Sequence, residues 1–301
     1  MDRQAESIPP CRAGAARGNL IGVLVLHAAT SPSPPMSTPR HGILQLAFAL
    51  SSALLLALLV GPLIAVLFAR PYASFVLGLA DRELWSAIGV SFGCAAVAAV
   101  LAAVLGTPLG YLLARRSFRG KRLVQALLSL PLVIPHPVAG IALLLVFARH
   151  RLLGSILEGR LGFEIVGAAP GVVMAMLFVS APLLVKQVEE GVHGLDRSLE
   201  QVAESLGASP WGAFAHVTLP NIRPAIAAGM VASFARGVSE FGSIAVIAYF
   251  PRTAPVLIWD RFSSWGLDGA LPATALLLVL SLGVFGLLTF LEARRHGHDP
   301  R

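Results

Sequence analysis

The sequence predicts an all-α, polytopic membrane protein, and three observations carry that prediction. Apolar residues make up 56% of the 301 and charged residues only 13%, against the ~25% charge of soluble domains. The apolar residues gather into six runs of the length a bilayer crossing needs, ~20 residues each. The Lys and Arg side chains behind the net charge of +7 stand at the ends of those runs. They do not line one polar face, which argues for membrane orientation and against a nucleic-acid partner.

Taken in order, residues 1–40 are rich in Pro, Ser, Arg and Gly and read as a disordered tail. The apolar run Leu20–Leu26 is too short to span. With Arg12 and Arg17 before it and His27 after it, it has only the outline of a signal peptide. Met36 is the candidate true start. A transmembrane domain is expected over 41–292, followed by a short tail, 293–301. Its six spans are placed at 43–68, 84–114, 123–148, 170–190, 222–249 and 271–291, from hydrophobic runs and periodicity. With both ends in the cytoplasm, fifteen Lys and Arg fall inside and seven outside, with Arg236 within a span. The cluster Arg115, Arg116, Arg119, Lys121 and Arg122 decides the orientation, because short loops weigh most. Tyr72, Trp85, Tyr249, Trp259 and Trp265 then lie near the outer ends, as an interfacial belt requires. The longest outer loop, 149–169, is either a docking surface or a plain connector. The cysteines, Cys11 in the tail and Cys94 in a span, are not expected to pair, and no metal-ligand spacing exists.

The cytoplasmic stretch 198–220 is amphipathic and carries caps. Ser198 and Gln201 have capping-box spacing, so a helix is expected from Leu199. Gly207 suits the left-handed residue that ends it. Ser209 followed by Pro210 reads as a second N-cap with a proline at the first helical position, and Pro220 is read as the end of the unit. An apolar-faced helix pair between spans is either a docking site for a partner or a helix lying on lipid.

Inside the membrane, Pro131, Pro135 and Pro137 remove three backbone donors, so the third span is expected to kink or open. His136 between them is read as packed against a freed carbonyl, with a place in a permeation path as the alternative. In the fifth span Ala225, Gly229, Ser233 and Gly237 form a small-residue stripe that predicts close helix packing. Arg236 and Glu240 are four apart and are expected to pair, since each alone would cost ~2.5–3.5 kcal/mol at a helix centre. The alternative is that Arg236 meets an anion.

The stretch 198–220 resembles the EAA loop of ABC importer permeases. The family pattern is Glu-Ala-Ala, three residues, Gly, nine residues, Ile, one residue, Leu-Pro. It falls here on Gln201, Val202, Ala203, Gly207, Val217, Leu219 and Pro220. Gln201, Val202 and Val217 depart from the pattern, and a carboxylate stands next door at Glu200. Residues 234–242 (FARGVSEFG), 248–258 (AYFPRTAPVLI) and 130–144 (LPLVIPHPVAGIALL) are similar to molybdate/tungstate permeases. Sulfate permeases share Glu-Phe-Gly but less often the other two segments. The resemblance covers roughly residues 43–292.

That resemblance implies a type I ABC importer permease fold with six transmembrane helices, a homodimer with one pathway, and two cytoplasmic ATPase subunits. It also implies an extracytoplasmic oxyanion-binding protein. It places ATPase coupling on Glu200, Gln201, Ala203, Glu204, Gly207, Ala208, Trp211, Leu219 and Pro220. Pro135, His136, Pro137, Arg236 and Glu240 are the pathway or interface candidates. No catalytic residue, metal site or cofactor is expected. The chain has no phosphate-binding loop, for Gly120 and Lys121 are followed by Arg122 and lack the earlier Gly. The rivals are a sulfate or thiosulfate importer of the same build, an ion-coupled secondary transporter, which predicts inverted repeats and buried carboxylates, and, weaker, a membrane enzyme.

Overall fold

The computed structural model describes residues 39–69, 78–162 and 164–296, and its regular elements are helical. Met36, Tyr72, Cys11 and nearly all of the N-terminal tail lie outside the described residues. The chain forms two units that divide between Gly61 and Pro62. The first holds most of α1 (Pro39–Phe68), the leucine-rich helix expected at 43–68. The second continues with α2 (Arg82–Arg115), α3 (Lys121–Val133), α4 (His136–Phe147), α5 (Leu152–Leu161) and α6 (Ala169–His193). Then come α7 (Arg197–Ser205), α8 (Pro210–Ala213), a π turn (Phe214–Thr218), α9 (Leu219–Val238), α10 (Gly242–Ile247) and α11 (Ala254–His296).

Four described helices are long and apolar enough to cross a membrane: Leu44–Phe68, α2, α6 and Ala254–Phe290. The pair α3–α4, bent by 115°, makes a fifth if it is one broken span. The three prolines act there as expected. Pro131 lies inside α3, the chain turns extended at Ile134 and Pro135, and Pro137 takes the first turn of α4, where a missing N–H costs no hydrogen bond.

Three boundaries differ from expectation. The run 222–249 is not one helix: α9 stops at Val238 and α10 restarts at Gly242. The last helix begins at Ala254 rather than 271 and runs to His296, into the expected tail, with a break at Gly266 (φ 67°). The outer loop 149–169 contains a helix, α5.

The centre of the second unit is α2, α6 and α9. Val172, Ala175, Met176 and Val179 of α6 are buried, and Ala95 and Ala98 of α2 are buried in the same cluster as Val172, Ala175 and Met176. The small-residue stripe of α9 faces them. A Cβ on Gly237 would stand 3.3 Å from Ala95 Cβ, and one on Gly229 would stand 3.1 Å from Leu184 Cα. Ser233 Oγ donates to the Ser180 carbonyl at 3.1 Å. Lipid tails are as apolar as these side chains, so close packing and such interhelical bonds select the contact more than water exclusion does. At the other end of α2, Leu84, Ala87 and Ile88 pack with Ala254, Leu257, Ala273 and Leu276 of α11. Asp81 Oδ1 caps α2 by accepting from Leu84 N at 3.1 Å, and Arg261 Nη2 meets Asp81 at 2.5 Å, so a capping carboxylate and a cation join the two helices.

Candidate functional site

The stretch between α6 and α9 presents an amphipathic helix turned inside out. On α7, Leu199 and Val202 are exposed, as is Leu206 just past its end at 85%. Their spacing of three and four residues puts them on one face. Trp211 of the following short helix is also exposed, at 74%. Glu200, on the opposite side, is buried. A water-facing helix would do the reverse, and among the described residues nothing covers this apolar face.

Local chemistry sets the helix ends. Asp196, not Ser198, is the N-cap of α7. Its Oδ1 accepts from the Ser198 backbone N at 2.9 Å. That hydrogen bond, with the Ser198 hydroxyl and the charge of Arg115, holds the Asp196 carboxyl below the usual carboxylate range. Ser198 follows an acid two residues earlier, and the stronger anionic cap wins. At the other end Gly207 has φ 94°. Ala208 N donates to the Ala203 carbonyl and Gly207 N to the Glu204 carbonyl, both at 3.0 Å, the paired closure of a Schellman motif. Ser209 Oγ accepts from Gly212 N at 3.1 Å, with Pro210 opening α8. Pro220 does not end the unit. The chain runs helically from Pro210 to Val238, with the π turn just before Leu219 and Pro220. Widening to a π turn moves the carbonyl that a proline ring would otherwise strike.

Glu200 explains the inversion. Its carboxylate meets Arg115 Nε at 3.1 and 3.2 Å and accepts from Thr218 Oγ1. Arg115 Nη2 also donates to the Leu195 carbonyl at 3.1 Å. The end of α2, α7 and the π turn are thereby tied together. Tyr111 of α2 stacks edge-on against Phe214 at 4.9 Å, and Phe214 lies 5.5 Å from Trp211. Gln201, Glu204 and Gly207 are exposed, and Ala203, Ala208, Leu219 and Pro220 half-buried. Glu200 therefore does not offer its charge outward. Sequence reasoning read Arg115 only as an orienting cation. The one signal pointing further was an acidic residue opposite an apolar face.

A second cluster forms where two helices break. Glu240 is fully buried just past the end of α9. Arg236 Nη2 reaches it at 2.9 Å and His136 Nδ1 at 3.1 Å. Its other oxygen accepts from Ser243 N at 2.9 Å and Ser243 Oγ at 2.7 Å, which caps α10. Arg236 Nη2 also stands 3.0 Å from His136 Nε2. It also stands 3.4 Å from His136 Nδ1. His136 thus meets a carboxylate and a guanidinium, not the freed carbonyl that was expected. Arg236 and Glu240 pair as their spacing predicted, although Glu240 lies beyond the helix. Pro135 and Pro137 flank His136 and shape the approach. A Cβ on Gly242 would stand 2.7 Å from His136 Cβ, and one on Gly140 would stand 2.7 Å from the Ser243 carbonyl. Both positions need glycine for α4 and α10 to touch.

Residues 106–297 match the family described as binding-protein-dependent transport system inner membrane component. The chain belongs to this family of importer permeases. The permease is 40% identical over 252 residues to a molybdate/tungstate transport system permease protein of Thermococcus kodakarensis, covering 83% of this chain and 96% of the relative. It is 38% identical to a probable molybdenum ABC transporter permease protein of Haloferax volcanii, over 74% of this chain and 81% of that one. It is 32% identical to a probable sulfate transport system permease protein of Nephroselmis olivacea, over 87% and 95%. These identities set it in the molybdate/tungstate permease family of ABC importers. Its fold is that of a bacterial alginate ABC importer chain, with a TM-score of 0.68 at 16% identity over 85% of this chain and 96% of that chain. A methionine ABC transporter chain matches at a TM-score of 0.54, 18% identical, over 73% and 95%. The permease is a multi-pass inner-membrane transport subunit and not a catalytic enzyme. Family membership implies a cognate ATPase and an extracytoplasmic binding protein.

Proposed function

We propose that two copies of this permease form a single pathway that imports molybdate or tungstate, with one ATPase subunit gripping α7 and α8 of each copy. The observation that carries the reading is the exposed patch of Leu199, Val202 and Leu206, with Trp211 also exposed, set opposite a buried Glu200. A partner's groove would cover the patch, and Gln201, Ala203, Glu204, Gly207 and Ala208 border it. Leu219 and Pro220 pass the movement into α9. ATP-driven closure of the ATPases would draw the two loops together and reorient the spans. For that to move solute, the anion must be bound better in one state than in the other.

Six spans per copy follow if α3–α4 and α9–α10 each count as one broken span. Both termini then lie in the cytoplasm with α7, the side that the basic cluster at 115–122 favours. The permease domain is taken as 41–292. The cluster of His136, Arg236 and Glu240 is read as structural, holding two helix breaks together beside the pathway.

The substrate rests on the relatives' names, and the sulfate relative gives a second reading in which the same machine carries sulfate. Co-purification from detergent tests the first half: an ATPase subunit should be retained, and retention of none would overturn the docking reading. Competition of uptake by tungstate, molybdate and sulfate tests the second. Tungstate and molybdate should compete strongly and sulfate weakly, and the opposite order would assign sulfate.

A further inference from the structure

The second unit carries a cavity of about 470 Å³ between α2, α3, α4 and α6, inside the ~300–1,000 Å³ range of ligand pockets. Its lining is apolar throughout, with Leu105 and Leu109 from α2, Val124, Leu128 and Pro131 from α3, and Ala181 from α6 among the walls. No lining side chain offers a hydrogen-bond donor, so a dianion has no reason to enter.

The cationic cluster lies at one end of this cavity. Val124, Leu128 and Pro131 share a face of α3, and Lys121 continues that stripe one turn earlier. Arg116 follows Leu109 by about two turns at the end of α2, and Arg119 and Arg122 lie in and just after the connection. Arg115 is already taken by Glu200. Arg116, Arg119 and Arg122 are exposed and Lys121 is half-buried. Among the described residues none of these four makes an ion pair. The carboxylate one turn past Val185 on α6, Glu189, accepts from Gln125 Nε2 at 2.8 Å and lies 3.8 Å from His193 Nε2; among the described residues it makes no ion pair with the four cations.

We propose that this cavity holds an acyl chain of an anionic phospholipid from the bilayer, whose headgroup phosphate is bound by Arg116, Arg119, Lys121 and Arg122. A dry slot explains the chain, and four unpaired cations at one end explain the choice of headgroup. The inference stands apart from the identity of the transported solute.

Native mass spectrometry of the purified full-length permease tests it, with phosphatidylglycerol and phosphatidylcholine of matched chains added separately. Phosphatidylglycerol should be retained well over about 25-fold better, since each of the four cations near the surface is worth about fivefold. Lys121→Gln with Arg122→Gln should cut its retention about 25-fold and leave phosphatidylcholine unchanged. Ala181→Phe, which fills the cavity, should remove bound lipid of either kind; Leu105→Phe on α2 serves if that variant does not fold. Equal retention of the two lipids, or adducts that persist in the filled variants, would overturn the proposal. So would a cavity occupied by a second copy, seen as no lipid adduct and a dimer that the filled variants dissociate.

Discussion

The pair Arg115–Glu200 joins residues 85 apart in the chain at the edge of the apolar spans, whereas Arg236–Glu240 joins residues four apart inside them. Both bury a carboxylate against a guanidinium. In the first, the carboxylate sits on the side of α7 that faces protein, so Leu199, Val202 and Leu206 must face out. The pair chooses which face of a short helix is shown. In the second, the carboxylate receives four close contacts, two of them from Ser243 at the start of α10. That pair shows nothing outward and closes the gap between two helix ends. The difference separates a pair that orients a surface from one that repairs a break.

The largest effect should fall on the displayed surface. Gly207→Asp or Ala203→Asp places a carboxylate beside the apolar patch, and Gly207 also holds a φ of 94° that a side chain disfavours. Uptake and nucleotide-dependent coupling should be lost while membrane insertion, followed by protease mapping, is unchanged. Normal uptake in both variants would remove the docking role. Next is the repairing pair. Arg236→Ala leaves a fully buried Glu240 without its guanidinium, at ~3–5 kcal/mol for a broken buried pair. The yield of folded, detergent-stable protein should collapse. Adding Glu240→Ala should recover part of it, because the stranded charge goes too. A double variant as poor as the single would mean that pairing is not why the two residues are there.

The two regions were also unequally legible in the sequence. Arg236 and Glu240 could be matched because helix geometry alone brings residues four apart together. The stripe from Ala225 to Gly237 was legible for the same reason, as were the Gly207 cap and the proline break in the third span. Arg115 and Glu200 were not, because their meeting depends on how α2 and α7 pack. Without that contact, the apolar face of α7 could equally be assigned to lipid. His136 shows the same limit: its partners lie about 100 residues away. The reading of Pro220 as a terminator failed for a local reason. Proline is tolerated in a first helical turn, and a π turn absorbed it. The fifth span looked continuous because apolar composition does not reveal a carboxylate that caps the next helix.

Smaller changes sharpen the contrast. Trp211→Ala removes a side chain that is 74% exposed and carries no fold contact beyond Phe214 among the described ring pairs. ATPase affinity should fall by about 2 kcal/mol, roughly thirtyfold, as for an interface anchor, with thermal stability unchanged. A matching loss of stability would mean that the residue is packed against its own chain and is not part of a display. The smallest effect belongs to Asp196. Its carboxyl is held below the ordinary range by Ser198, so its cap on α7 is fully made above the unfolded carboxyl's pKa of ~3.9. That contribution is lost as pH falls through the lower folded value. Asp196→Asn keeps a good cap but cannot titrate. Binding of the ATPase by the two proteins should therefore be alike at neutral pH, and only the parent should lose the cap's share as acid is added. If both respond to acid alike, the cap does not control how α7 is presented, and the Arg115–Glu200 pair sets that orientation alone.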